Sequence, residues 1–250
     1  MKKLMFATAL AFAPLAAVQA APPDFAAAVS APGRPAEATA LDAGRHPAEV
    51  LRFMGLRQGD RALDLFTDSA YYGEVMVRVV GPRGSVLGWN PREFTQDDTR
   101  AAQAAVHQRS PNFAALITPA AAFTLPVNAF DFAMIHLNYH DTYYENARAH
   151  YRMDPEAFLR TVFQSLKPGG TIAVIDHVAN PGGGDTRAVV NRLHRIDPAT
   201  VRADFERAGF VFDGESPLLR NPDDDHSKMV FDPSIRGRTD RIVYRFRRPR

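Results

Sequence analysis

Two hydrophobic patterns alternate along the chain. Short continuous apolar runs predict buried strands, and apolar residues spaced three or four apart predict helices with one face in the core. One such helical face is formed by Tyr72, Val75, Met76, Val79 and Val80. The predicted strands are residues 61–65, 85–89, 112–117, 130–136, 171–178, 210–212 and 241–246. The predicted helices are residues 47–54, 72–80, 95–108, 155–166 and 198–209.

The order of these elements indicates the fold class. Strands that alternate with helices form βαβ units, in which the strands are parallel and the helices cover the sheet. The last two strands are joined by a long segment without helical spacing, so we expect them to be antiparallel. The sequence therefore predicts an α/β fold: a doubly wound, mostly parallel sheet with helices on both faces and an antiparallel C-terminal strand.

The first twenty residues have the parts of a secretory signal peptide. Lys2 and Lys3 precede an uncharged apolar run of fifteen residues, 4–18, and small residues follow it. The run contains Pro14 and is shorter than the roughly 20 residues that a membrane-spanning helix needs. We expect a signal peptide over residues 1–20 and a periplasmic or secreted mature protein without a membrane anchor. A retained membrane tether is the alternative.

Composition limits the domain organisation and the partners. Residues 21–44 are rich in Ala, Pro and Gly, which predicts a flexible N-terminal segment before one domain over residues 45–250. The absence of cysteine excludes disulfides, thiolate metal sites and cysteine nucleophiles. Without Lys2 and Lys3 the chain carries 28 basic and 28 acidic residues. This balance argues against a nucleic-acid partner bound through bulk charge and leaves a small molecule as the expected partner.

Polar side chains follow several of the predicted strands. In an open parallel sheet, ligands bind in the crevice beyond the carboxyl ends of the strands. This rule selects four candidate segments, residues 64–70, 89–91, 136–141 and 176–177. The long connection over residues 220–240 has no helical period of its own, and we expect it to form an ordered lid over this crevice.

Several motifs resemble the class I S-adenosylmethionine-dependent methyltransferases. They are Leu63-Asp-Leu65 after a helix, Leu166-Lys-Pro-Gly-Gly170 before an apolar strand, and the terminal strand–loop–strand. Within this superfamily, the sequence resembles more narrowly a bacterial group of exported predicted methyltransferases. The segments that carry this resemblance are residues 71–72, 137–141, 176–177, 193–198 and 219–244. The resemblance covers residues 45–248. It implies a Rossmann-like methyltransferase fold, S-adenosylmethionine as cofactor and methyl transfer to a small-molecule acceptor.

The resemblance also implies where the cofactor is bound. The positions that match the family's cofactor contacts are Asp64, Phe66, Asp68, Ser69, Ala70, Asn90 and Asn138. The chain departs from the family pattern at four of them. Phe66, Asp68 and Ala70 stand where the family has glycines, and Asn90 stands where an acidic residue accepts the ribose hydroxyls. A side chain at a glycine position narrows the pocket, and the Asp68 carboxylate adds negative charge.

A purely structural interpretation of the same turn is equally open. Asp64 is placed to accept hydrogen bonds from backbone amides near a helix start. Thr67, Asp68 and Ser69 are residue types that cap helix N-termini without any ligand.

The segment after the fourth strand carries the candidate catalytic residues His140, Asp141 and Tyr139. Histidine has an ordinary pKa near 6.5, which suits proton removal from a hydroxyl or amine acceptor at neutral pH. We expect Asp141 to orient His140, and Tyr139 and Asn138 to position the acceptor. His136 lies within the strand, where a hydrogen-bonded core role is expected instead.

A second cluster leaves a metal site open as an alternative. Asp176 and His177 end the most apolar strand, and buried polar groups of this kind need partners. His140, Asp141, His177 and His194 offer imidazole and carboxylate ligands for a divalent metal. An arginine partner for Asp176 explains the pattern equally well. No spacing here matches a dedicated metal motif, so the sequence by itself does not assign a metal.

These observations favour an S-adenosylmethionine-dependent methyltransferase that acts on a small molecule and has a degenerate glycine motif. Two alternatives come from other classes: a non-catalytic exported binding protein on the same scaffold, and a metal-assisted hydrolase. The sequence does not indicate the oligomeric state.

Overall fold

The computed structural model describes residues 22–250, so the predicted signal peptide lies outside the described residues. The helices are α1 (Phe25–Ser30), α2 (Ala36–Thr39), α3 (Asp42–Arg45), α4 (Pro47–Met54), α5 (Tyr71–Val80), α6 (Asp97–Arg109), α7 (Pro155–Ser165), α8 (Thr186–Leu193) and α9 (Pro198–Arg207). The strands are β1 (Arg61–Leu65), β2 (Ser85–Pro91), β3 (Phe113–Thr118), β4 (Phe130–His136), β5 (Glu145–Asn146), β6 (Tyr151–Arg152), β7 (Leu166–His177), β8 (Val211–Glu215) and β9 (Arg241–Arg247).

Seven strands form one sheet in the order β3-β2-β1-β4-β7-β9-β8. Strands β3, β2, β1, β4 and β7 are parallel to one another, whereas β9 runs antiparallel to both β7 and β8. This topology confirms the predicted doubly wound sheet and its antiparallel C-terminal strand. The sequence order reverses between β1 and β4, which is where such sheets open a crevice for ligands. Strands β5 and β6 form a separate short hairpin.

The sheet separates two hydrophobic cores. Alternate residues of a strand point to opposite faces, so Leu63 enters one core and its neighbour Ala62 enters the other. In the same way β7 contributes Val174 to the first core and Ile175 to the second. Burial on both faces explains why the parallel strands are continuous apolar runs. Within residues 22–250, no helix is long and apolar enough to span a membrane.

The segment before the main domain is more ordered than its composition predicts. Phe25 is buried in the second core. Arg34 donates two hydrogen bonds to the carboxylate of Asp42, at 2.6 and 2.8 Å, and the Tyr71 hydroxyl donates to the same carboxylate at 2.6 Å. One buried aromatic ring and one shared carboxylate thus fix short helices that a search for long periodic segments does not find.

The connection between β8 and β9 is held by a buried ion pair. Arg195 and Asp224 have side chains that are 0% and 2% exposed, and they form two hydrogen bonds at 2.8 and 3.0 Å. The Asp224 carboxylate also accepts from the backbone amide of Asp240 at 2.7 Å. In the acidic run at residues 223–225, the middle residue is therefore buried because it neutralises Arg195.

We predict that Asp224→Ala strongly destabilises the fold. Removing one partner of a buried ion pair leaves an unpaired charge, which costs about 3 to 5 kcal/mol. The matched control is Asp223→Ala, at an exposed neighbouring position, where a change within about 0.5 kcal/mol is expected. Urea denaturation of both variants measures the difference. Equal free energies of unfolding for the two variants would contradict the structural role of the pair.

Candidate functional site

A cleft of about 800 Å³ opens at the carboxyl ends of β1, β4 and β7. This is the place that the sheet topology predicts for a ligand. Its walls are formed by residues from segments 40–45, 64–72, 136–144 and 230–241, together with Phe94, His177 and His194. The connection before β9 therefore covers part of the cleft, in agreement with the expected ordered lid.

The turn between β1 and α5 keeps a left-handed backbone without glycine. Phe66, Asp68 and Ala70 have φ angles of 55°, 45° and 62°. These are the three positions at which glycine was expected from the resemblance. A left-handed conformation costs a residue with a β-carbon roughly 1 to 2 kcal/mol. The surrounding structure therefore enforces the backbone shape of a glycine-rich turn, although the residues themselves disfavour it.

The side chains of this turn point in different directions. Phe66 lines the cleft with one side and packs its ring against Trp89, at 5.0 Å between centroids. Asp68 and Ser69 are exposed in the cleft. Ala70 is buried in the second core and does not line the cleft, and its backbone amide donates to the Thr67 carbonyl, so the predicted cofactor contact at Ala70 is not available.

Asn90 does not reach the cleft. Its side-chain oxygen accepts a hydrogen bond from the amide of Asp68 at 3.2 Å, and its nitrogen donates to the Thr95 hydroxyl at 2.8 Å. The residue is buried and does not line the cleft. Asn90 therefore does not offer the predicted contact to the ribose hydroxyls, because its side-chain amide holds the turn instead. A third support for the turn is Gln103, which donates to the carbonyl of Asp68 at 2.8 Å.

Asp64 supports the turn from below and also borders the cleft. Its carboxylate accepts from the Thr67 hydroxyl at 2.6 Å and from the amide of Gly73. Burial raises the pKa of Asp64 to about 7, although these two hydrogen bonds oppose the rise. The hydrogen bonds match the structural interpretation of Asp64. No side chain caps α5, so the predicted capping by residues 67–69 is wrong.

His140 is held by a carboxylate on the neighbouring strand. Asp176 is 0% exposed and accepts from the His140 ring at Nδ1 and from the His140 backbone amide, each at 2.7 Å. The same carboxylate accepts from the amide of His177 at 2.8 Å. His140 is thus oriented by Asp176 rather than by Asp141, and the partner of Asp176 is His140 rather than an arginine. With Nδ1 engaged, the Nε2 atom of His140 faces Asp141.

This pairing changes the charge of His140. Burial alone would lower its pKa, but the negative charges of Asp176 and Asp141 and the hydrogen bond to Asp176 raise the pKa to about 9. At neutral pH the ring is protonated and has no lone pair free to accept a proton. This differs from the general base expected from the sequence.

Two further histidines border the same part of the cleft. The Nδ1 atom of His194 lies 3.8 Å from Oδ1 of Asp141, and Oδ2 of Asp141 accepts from Asn138 at 2.8 Å. His177 bonds through Nδ1 to the Thr239 hydroxyl at 2.6 Å. Burial and the charge of His140 lower the pKa of His194 to about 4 and keep that of His177 well below its usual value.

Tyr139 points away from the cleft. It is fully buried, and its hydroxyl donates to Asp204 on α9 at 2.8 Å. It does not line the cleft, so the expectation that it positions an acceptor needs correction. The reason is geometric: residues 140–142 form a short 3₁₀ turn that points His140 to the cleft and leaves Tyr139 in the core.

The structure adds residues that the sequence interpretation missed. Arg45 lies in the cleft with its guanidinium 4.3 Å from the centroid of the Tyr71 ring, and within residues 22–250 it forms no ion pair. His136, for which a hydrogen-bonded core role was expected, borders the cleft: its ring centroid lies 4.6 Å from that of Tyr72, and its buried Nε2 atom has no hydrogen-bond partner within the described residues. Arg241 also lines the cleft, on strand β9, which lies between β7 and β8 in the sheet. The adjacent tyrosines at 71 and 72 are the feature of the sequence that could have indicated this wall of the cleft.

The fold is shared with solved methyltransferase structures. An S-adenosylmethionine-dependent methyltransferase from Aquifex aeolicus has a TM-score of 0.58 and 19% identity, covering 86% of this chain and 99% of the other. A putative sarcosine dimethylglycine methyltransferase from Galdieria sulphuraria has a TM-score of 0.61 and 16% identity, covering 85% and 88%. The cyclase SpnF has a TM-score of 0.58 and 16% identity, covering 83% and 81%.

These likenesses confirm the predicted Rossmann-like methyltransferase fold. No protein-family model matches the sequence, and no curated protein sequence matches it. At these identities the likeness establishes the fold alone. A cyclase among the similar structures also means that the fold does not by itself define the reaction.

We predict that His140 titrates near pH 9 in protein kept metal-free with a chelator. Its pKa is raised from 6.5 to about 9 in the folded state. The stabilisation from its proton is therefore fully present below pH 6.5 and is lost as the pH rises through 9. Histidine ¹⁵N chemical shifts measure this directly, and Asp176→Asn should lower the titration midpoint of His140. A His140 midpoint at or below 6.5 in the wild-type protein would show that the pairing with Asp176 is not maintained in solution.

Proposed function

We propose that the protein is an S-adenosylmethionine-dependent methyltransferase with a small-molecule acceptor. The observation that carries this proposal is the left-handed turn over Phe66, Asp68 and Ala70 at the carboxyl end of β1. A costly backbone conformation that is kept without glycine is typical of a functional constraint. When bound, S-adenosylmethionine would supply an electrophilic methyl group for transfer to the acceptor.

The methionyl end of the cofactor fits the residues present. It carries a carboxylate, and Arg45 offers a guanidinium in the cleft without a carboxylate partner within residues 22–250. Burial lowers the pKa of Arg45, so an anionic ligand would compensate a charge that the protein leaves unpaired. The adjacent turn adds the Ser69 hydroxyl, since Ser69 is exposed in the cleft.

The adenosine end has fewer contacts in this chain. Asn90 is bonded to the amide of Asp68 and to Thr95, and it offers neither a charge nor a free oxygen to a ribose. We therefore assign recognition to the methionyl end and expect weaker binding than a charge-assisted ribose contact would provide. Catalysis then rests on positioning the two reactants in a closed cleft.

We predict that S-adenosylmethionine and S-adenosylhomocysteine both bind to the purified protein in calorimetric titrations. Arg45→Gln should weaken both ligands about tenfold or more, because it removes a charge-assisted hydrogen bond. The control is Arg100→Gln, at an exposed position of α6 outside the cleft, which should leave the dissociation constants unchanged. No heat of binding at millimolar ligand, with the protein folded, would overturn the proposed function.

We also predict that Asp68→Gly improves cofactor binding. The change removes a carboxylate from the cleft. It also removes roughly 1 kcal/mol of backbone strain, because glycine adopts the left-handed conformation more easily than aspartate does. Asp68→Ala is the matched variant, because it removes the charge and keeps the β-carbon. Titration should give the affinity order Gly, then Ala, then wild type, and thermal denaturation should show stabilisation for glycine alone. An unchanged or weaker affinity for both variants would contradict a methionyl site at this turn.

A non-catalytic binding protein on the same scaffold is the second candidate. The observation that favours it is that both polar atoms of the Asn90 side chain are hydrogen-bonded within the protein. The residue at the position of the ribose contact is therefore not free to bind a ribose. The calorimetric titration separates the two proposals, since a binding protein for another small molecule gives no signal with either ligand. Export from the cytoplasm, expected from residues 1–20, stays a proposal of its own.

A further inference from the structure

We infer that His140, Asp141 and His194 form a binding site for a divalent first-row transition metal ion on the wall of the cleft. Each residue offers one ligand atom, and the three atoms lie within 4.8 Å of one another. Metal binding is measured without S-adenosylmethionine, so this proposal stands or fails separately from the proposed function.

The distances suit coordination and do not suit hydrogen bonding. Nε2 of His140 lies 3.5 Å from Oδ1 of Asp141, and Nδ1 of His194 lies 3.8 Å from the same oxygen. Hydrogen bonds between nitrogen and oxygen are shorter, at about 2.7 to 3.2 Å. Two ligands bound about 2.1 Å from a tetrahedral ion are separated by about 3.4 Å. The three atoms are therefore spaced so that one ion is able to contact all of them.

The residues behind these ligands have the arrangement of a metal site's outer shell. A metal-bound histidine usually donates its other ring nitrogen to a carboxylate, which fixes the ring. His140 does this through Nδ1, which bonds to the fully buried Asp176 at 2.7 Å. Asp141 is held in the same way, because its second oxygen accepts from Asn138 at 2.8 Å. Both ligands are thus oriented by groups outside the proposed coordination sphere.

His194 is positioned by its backbone and by aromatic neighbours. It ends α8 in a left-handed conformation with a φ of 51°. Its ring lies 4.9 Å from that of Tyr144 and 5.1 Å from that of Phe231, measured between centroids. Phe231 comes from the connection before β9, so the lid contributes to the surroundings of the site. The apolar rings lower the local dielectric and strengthen the binding of a cation.

The ligand types select the class of metal. Two imidazoles and one carboxylate suit Zn²⁺, Co²⁺, Mn²⁺ or Fe²⁺, whereas Mg²⁺ and Ca²⁺ prefer oxygen ligands throughout. With three protein ligands, a coordination position remains for water or for a substrate atom, and all three residues line the cleft. The site therefore belongs to the same cavity as the proposed cofactor turn.

The test is titration of chelator-treated protein with Zn²⁺ by calorimetry and with Co²⁺ by visible absorption. One equivalent should bind, with Co²⁺ giving the ligand-field bands of a low-coordinate site, and Mg²⁺ and Ca²⁺ should bind at least a hundredfold more weakly. His194→Asn should abolish stoichiometric binding, because it removes one imidazole ligand. The fold should be kept, because asparagine tolerates the left-handed conformation. Asp176→Asn should weaken binding 10- to 100-fold through loss of the outer contact.

His150→Asn is the matched control. His150 also has a left-handed backbone, with a φ of 53°, but it is exposed and does not line the cleft. Zinc affinity and stoichiometry should be unchanged in this variant. The inference is overturned if wild-type protein binds no equivalent of Zn²⁺ or Co²⁺, or if His194→Asn and His150→Asn bind alike. Circular dichroism of each variant confirms that a loss of binding is not a loss of fold.

Discussion

The buried carboxylate of Asp176 organises the cleft. A carboxylate with no exposed surface is costly unless its oxygens are fully hydrogen-bonded, and Asp176 accepts from the His140 ring, the His140 amide and the His177 amide. These bonds join the end of β7 to the segment after β4. They determine that Nε2 of His140 faces Asp141 and the cleft. The histidine and carboxylate groups at this end of the sheet are arranged around that one contact.

The turn after β1 is the second constraint. Three residues within five keep left-handed angles without glycine, and they are supported by Asp64 below and by Asn90 and Gln103 at the side. The side chains of the turn differ from those of the family that the sequence resembles, whereas its left-handed angles are ones that glycine adopts without strain. Recognition is therefore assigned to Arg45 and the Ser69 hydroxyl, and Asn90 acts as a support of the turn.

Sequence patterns predicted the fold and the location of the cleft, because both follow from local periodicity. Parallel strands buried on two faces are continuous apolar runs, and their carboxyl ends meet at one edge of the sheet. Side-chain direction was not predictable in the same way. Tyr139 and His140 are adjacent, yet one enters the core and the other the cleft. Arg45 was missed because its short helix is ordered by the contacts of Asp42 with Arg34 and Tyr71, which hydrophobic periodicity does not reveal.

A crystal structure of the protein with S-adenosylhomocysteine and Zn²⁺ tests the account most directly. We expect the methionyl group against residues 66–70, its carboxylate within hydrogen-bond distance of Arg45, and an anomalous zinc peak coordinated by His140, Asp141 and His194. The account is contradicted if the ligand is absent from the cleft at saturating concentration, or if it binds with its methionyl end away from the turn.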